Sequence, residues 1–130
     1  MTLTVAICTN GRDSLIHAID SIGKQTKAPE KLLIIDQSGK GSARSAIEKA
    51  NYIGDWEVVD QDAKGLSKAR NEAVTRLDTD WLFFTDDDCV LSLDLVEQLQ
   101  KVVGQYPEAA FLAGTCIRPL DYNPVTHEQE

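Results

Sequence analysis

The sequence predicts an α/β domain, a three-layer fold with a mainly parallel, Rossmann-like sheet. Two observations carry that reading. Short apolar runs rich in β-branched and aromatic residues (LTVAICT at 3–9, KLLIID at 31–36, 56–59 and WLFF from 81) alternate with segments of helical period. Each run also stops at a polar or glycine-containing turn, as parallel strands do when helices carry the chain back. Right-handed crossovers then bring every strand's carboxyl end to one edge of the sheet.

Each element follows in order. The first run ends at Asn10-Gly11, a turn pair, and Asp13 or Ser14 can cap the next helix. Leu15, Ile16, Ile19 and Ile22 recur at helical spacing, and Gly23 with Gln25-Thr26 closes that helix before Pro29. The second run ends in Gln37-Ser38-Gly39. Residues 42–51 read as a weakly patterned helix, 56–59 as a strand, 61–65 as a loop and 66–77 as a helix. The strand at 81–85 has no polar alternation and reads as fully buried. A helix from about 94 to 104 carries the stripe Leu95, Val96, Leu99, Val102, Val103 and Tyr106, and 111–117 reads as a fifth strand. From Arg118 onward, with Pro119 and Pro124, no regular element is expected. The chain thus divides into a domain, 1–117, and a tail, 118–130.

Composition narrows the function. Apolar residues at 42% and charged residues at 26% are ordinary for a globular protein. A net charge of −8 argues against a nucleic-acid binder, and a phosphorylated ligand must be drawn in by local cations. The odd number of cysteines (Cys8, Cys89, Cys116), without Cys-x-x-Cys spacing, argues against a zinc site or disulfide framework. With no apolar run of signal-peptide length after Met1, this predicts a cytoplasmic protein. No segment approaches the ~20 apolar residues of a membrane span, which leaves peripheral membrane association and homo-oligomerisation open.

Asp86, Asp87 and Asp88 follow the fourth run directly. Burying unpaired carboxylates costs several kcal/mol or more each, so all three are expected outside the core, at the strand's carboxyl end. A hard divalent cation relieves their mutual repulsion; the plainer reading is a solvated acidic turn leading to a helix capped at Ser92. In the 66–77 helix, Leu66, Ala69, Ala73 and Leu77 define one face, with Arg70 in its middle. There Arg70 is either a structural ion-pair partner or a guanidinium aimed at a phosphate or base carbonyl.

The motifs VAICTNGR, SIGKQT, LLIIDQS, GLSKARNEA and WLFFTDDD, in this order, resemble the N-terminal half of family 2 glycosyltransferases of GT-A fold, over about residues 3–117. The resemblance implies a nucleotide-diphospho-sugar-binding domain, truncated before the acceptor half. It places Thr9, Arg12, Asp36, Arg70, Asp86 and Asp87 in nucleotide-sugar binding: Asp36 on the pyrimidine, Arg70 near base and phosphates, Asp86 at the ribose. Asp88, with Asp86, would hold Mn²⁺ or Mg²⁺ bridging the diphosphate. The first loop departs from the family's usual Pro-Thr-Tyr-Asn-Arg, and Ala63-Lys64-Gly65 stands where many members have Asn-x-Gly.

The implied reaction is inverting transfer of a sugar from a nucleoside diphosphate sugar, UDP-sugar favoured, to an unknown hydroxyl acceptor. The catalytic base is not identifiable in this chain, since Asp121, Glu128 and Glu130 lie in the unpatterned tail, so residues 1–130 alone are expected to be inactive. Two rivals stand beside it. One is a non-catalytic nucleotide-sugar-binding module. The other is a phosphotransferase of the haloacid dehalogenase type, with Asp86 as nucleophile and Asp88 as acid, although that family wants its Asp-x-Asp after the first strand.

Overall fold

The computed structural model describes residues 1–110 and the backbone of 122–123 and 128–129. Four parallel strands alternate with helices: β1 (Leu3–Thr9), α1 (Leu15–Gly23), β2 (Lys31–Asp36), α2 (Ser42–Lys49), β3 (Trp56–Asp60), α3 (Leu66–Thr75), β4 (Trp81–Asp86) and α4 (Leu95–Gln105). The strand order is β3-β2-β1-β4. β1 to β2 to β3 therefore steps one way, and the β3–β4 connection steps back across the sheet. Right-handed crossovers in opposite directions put their helices on opposite faces.

The core records that division residue by residue. Leu3, Val5 and Ile7 of β1 and Leu32 and Ile34 of β2 face α1, α2 and Val96 of α4. Ala6, Leu33 and Ile35 face Ala69 and Ala73 of α3. Strand side chains alternate sides, so two adjacent strands supply both layers. Both central strands are buried almost throughout, which is why they read as continuous apolar runs.

Several expectations are corrected. β4 is half-buried rather than fully buried, because among the described residues it pairs only with β1 and forms the sheet edge. Leu66 is 50% exposed, and Arg70 is exposed beside the Ala69–Ala73 face, not in its middle. The α4 stripe docks at its start: Val96 is buried and Leu99 packs on the core, while Tyr106 is exposed. The tail, expected to lack regular elements, holds a short antiparallel pair, β5 (Tyr122–Asn123) with β6 (Glu128–Gln129). The expected fifth strand at 111–117 lies outside the described residues, as does Cys116. Among the described residues no helix is long and apolar enough to cross a membrane.

Candidate functional site

Register alone brings the polar strand ends together. Thr9 lies beside Asp36, Asp36 beside Asp60, and Cys8 beside Asp86. Because β1 sits between β2 and β4, the chain's direction of travel reverses there, and the crevice opens at the carboxyl ends. A cleft of about 280 Å³ occupies it, lined by Cys8, Thr9, Asn10, Arg12, Gln37, Leu66 and Asp86 to Asp88.

The three acids have three fates. Asp86 and Asp88 are exposed, as expected. Asp87 is 7% exposed, which corrects the expectation that none could be buried. Compensation makes it tolerable: the Thr9 hydroxyl donates to Asp87 Oδ2 at 2.8 Å, and Arg12 Nε lies 3.8 Å from Oδ1. Arg12 Nη1 also donates to Asp88 Oδ2 at 3.0 Å. Ser14 occupies the N-cap position of α1, yet its hydroxyl donates to the Asp87 carbonyl at 2.9 Å instead of capping. The β1–α1 loop thus holds the acidic turn by side chain and backbone.

Asp86, Asp88 and Cys89 place ligand atoms within 4.8 Å of one another, a group that could hold a metal ion. Two carboxylates suit a hard cation, and a thiol adds a softer donor. Cys89 was not singled out from sequence, although its place directly after the triplet was the signal. Cys8 is different: burial pushes its thiol upward, Arg70 opposes that, and Asp86 and Asp87 add to it. Cys8 therefore stays a protonated wall residue, not a thiolate nucleophile.

Asp36 stands beside Thr9 at the end of β2 and does not line the cleft. It is 1% exposed; Oδ1 accepts from the Ser38 amide at 2.8 Å and Oδ2 from the Ala43 amide at 2.9 Å, in the first turn of α2. Burial raises its carboxyl, but hydrogen bonds from Ser38 and Ala43, with the charge of Arg44, outweigh it and hold the group below its usual range. Above it the turn is crowded. Gly11 has φ +93°, and a Cβ there would meet Ser42 Oγ at 2.7 Å and Ser38 Cβ at 2.9 Å. Arg70 sits with Cζ 5.6 Å from the Phe84 ring centroid. Among the described residues no carboxylate lies in ion-pair range of it.

Two glutamines escaped sequence reasoning in their roles. Gln37 donates to Gln61 Oε1 at 2.7 Å and to the Gly65 carbonyl at 3.0 Å, and accepts from the Gly65 amide at 3.2 Å, so it fastens the β3–α3 loop to the end of β2. The exposed Lys64 donates from Nζ to the Gln37 carbonyl in the same fastening. Gln25, in the SIGKQT motif, donates to the Ser92 carbonyl at 2.6 Å and accepts from the Val96 amide at 3.0 Å. It ties the segment leaving the acidic turn to the end of α1.

The structure therefore gathers Thr9, Arg12, Asp86, Asp87 and Asp88 around one cleft, while Asp36, beside Thr9, and Arg70, on α3, are not among the residues that line it. The sequence model for Glycosyl transferase family 2 matches residues 4–129. An uncharacterized glycosyltransferase of Haemophilus influenzae is 23% identical over 111 residues, covering 85% of this chain and 37% of the relative. S. aureus TarS 1–349 in complex with UDP-GlcNAc superposes with a TM-score of 0.72 at 18% identity, over 82% of this chain and 32% of that one. TarS 1–349 in complex with UDP gives the same TM-score and identity, over 82% of this chain and 33% of that one. The chain thus spans about a third of the length of these proteins, and the TarS likeness shows the shared α/β Rossmann-like fold. With nearly all of the sequence and every residue of the cleft inside the family match, the chain belongs to glycosyl transferase family 2.

Proposed function

We propose that this chain is the donor-binding lobe of an enzyme that transfers a sugar, with inversion, from a nucleoside diphosphate sugar to a hydroxyl acceptor. The observation that carries the reading is the convergence of Thr9, Arg12, Asp86 and Asp88 on one cleft at the reversal point of the sheet. TarS, with the same fold, binds UDP and UDP-GlcNAc, which favours a uridine diphosphate sugar here.

In this proposal Asp88 and Asp86 hold Mn²⁺ or Mg²⁺, and Cys89 as a third donor tilts the site toward the softer Mn²⁺. The ion, when bound, offsets the negative charge that develops on the leaving diphosphate. Asp86 also meets the ribose. Asp87 acts from beneath, fixing the Thr9 hydroxyl and the Arg12 guanidinium at the nucleotide. Asp36 holds the 37–43 turn at the base end, and a pyrimidine N–H would donate to its carboxylate beside the two amides it already accepts from. Arg70 supplies positive charge from the α3 side in a protein of net charge −8. No carboxylate lining the cleft is assigned as the base. The cytoplasm is the compartment proposed, in keeping with the thiol at Cys8.

Calorimetry tests the reading. UDP is expected to bind in the presence of Mn²⁺ and to lose most of its affinity when a chelator is added. Equal affinity in both conditions would take the metal out of the proposal, and binding of a purine diphosphate in preference to UDP would reassign the base pocket.

Arg70→Ala is expected to weaken UDP binding with a stability loss of only ~0.5–1 kcal/mol, the size of an exposed cation–π contact. Its exposure and its lack of a carboxylate partner among the described residues motivate this. A thermal midpoint far below wild type, with UDP affinity retained, would make Arg70 a structural residue instead.

A further inference from the structure

We propose that Arg12 is a resident counter-cation of the acidic turn, displaced from Asp88 when the divalent ion binds and thereby turned toward the diphosphate. The inference rests on the metal-dependent donor binding proposed above. Its basis is that a single carboxylate is claimed twice. Asp88 Oδ2 accepts from Arg12 Nη1 at 3.0 Å, and Asp88 also belongs to the donor group formed with Asp86 and Cys89. A guanidinium and a divalent cation held on that one carboxylate repel each other at close range.

The surroundings make this a side-chain movement rather than a loop opening. Thr9 is bonded to Asp87 and to the Gly11 amide, and Ser14 is bonded to the Asp87 carbonyl, so the backbone on both sides of Arg12 is pinned to the turn. The Arg12 side chain itself is 63% exposed and its Asp88 partner 51% exposed. An exposed ion pair of this kind is weak, so an incoming ion displaces it readily. The released guanidinium stays tethered at the cleft wall, where it can hold a phosphate with two parallel bonds. Until then it compensates Asp87 and Asp88 in an acidic protein.

The test uses Mn²⁺ alone, with unbound ion followed by electron paramagnetic resonance and no nucleotide present. R12Q is expected to bind Mn²⁺ up to about fivefold more tightly than wild type, because the competing charge is gone. R12K, which keeps a cation there, should stay near wild type. When UDP is then added, the order should invert, with R12Q binding the nucleotide more weakly. Unchanged or weaker Mn²⁺ affinity in R12Q would overturn the inference while leaving metal-dependent UDP binding by wild type intact. If neither wild type nor R12Q binds Mn²⁺ in a manner abolished by Asp88→Asn, the inference and the metal part of the proposed function fall together.

Discussion

Asp36→Ala is expected to lower stability by about 2–4 kcal/mol, a fall in melting temperature on the order of 10 °C. The substitution removes the acceptor for two amides at once, Ser38 N and Ala43 N, the latter buried in the opening turn of α2. An unmet buried donor costs about 1–3 kcal/mol, and loss of a side-chain cap at a helix start is of the same order. Gly41, the N-cap residue, has no side chain to take over. Urea denaturation of wild type, Asp36→Ala and Asp36→Asn checks it, the asparagine falling between because it keeps one carbonyl oxygen. A loss below about 1 kcal/mol in the alanine variant would mean that water replaces the cap. The pH dependence has a definite sign. The folded carboxyl is held below its ordinary value, so the unfolded chain takes up the proton first. The stabilisation is therefore complete above the unfolded value of about 4 and is lost as pH falls from there through the lower folded value. Glu57 and Asp80 are also held low, but they are common to both proteins. The wild-type minus alanine difference should shrink on acidification below about pH 4.

Asp88→Asn is expected to have the opposite profile, with little effect on the fold and about a 100-fold loss of Mn²⁺-dependent UDP affinity. Disturbing groups that merely support a metal's ligands already costs about 10–100-fold, and a direct ligand belongs at the upper end of that range. The side chain is 51% exposed and its pairing with Arg12 is at the surface, so its contribution to stability is within about 1 kcal/mol. Calorimetry with Mn²⁺ and with chelator, beside a thermal melt, separates the two effects. Full retention of the metal-dependent component would move the ion off Asp88.

What could be read from the sequence was whatever depends on local period and local turn chemistry. Leu3–Thr9 and Lys31–Asp36 fall where expected, because continuous burial writes a continuous apolar run. The crossover rule then places their ends on one edge without knowledge of any contact. What could not be read depends on pairing across long separations. Nothing local to Asp87 says that Thr9 and Arg12 will compensate it, nor that Ser14 will leave its own helix to bond the acidic turn. Gln25 and Gln37 are equally silent in sequence, since their bonds run to backbone groups of distant loops. The half-buried state of β4 follows from its place at the edge of the described sheet, a property of strand order rather than of WLFF.

The union of β1 with β4 also bears on how the molecule acquires its site. Thr9 and Asp87 stand 78 positions apart in the chain, with β2 and β3 between them in sequence but on the far side of β1 in space. Contacts that close so long a loop bear a large entropic cost before they return any gain, and topologies rich in them fold slowly. Pairing of β1 with β2 needs no such closure, so half a sheet can form while the cleft does not yet exist. A donor or ion that binds only the finished cleft then acts on the whole folding equilibrium by mass action, contributing about 2.7 kcal/mol at one hundred times its dissociation constant. On the proposed function, donor abundance thereby becomes a determinant of how long each copy survives proteolysis.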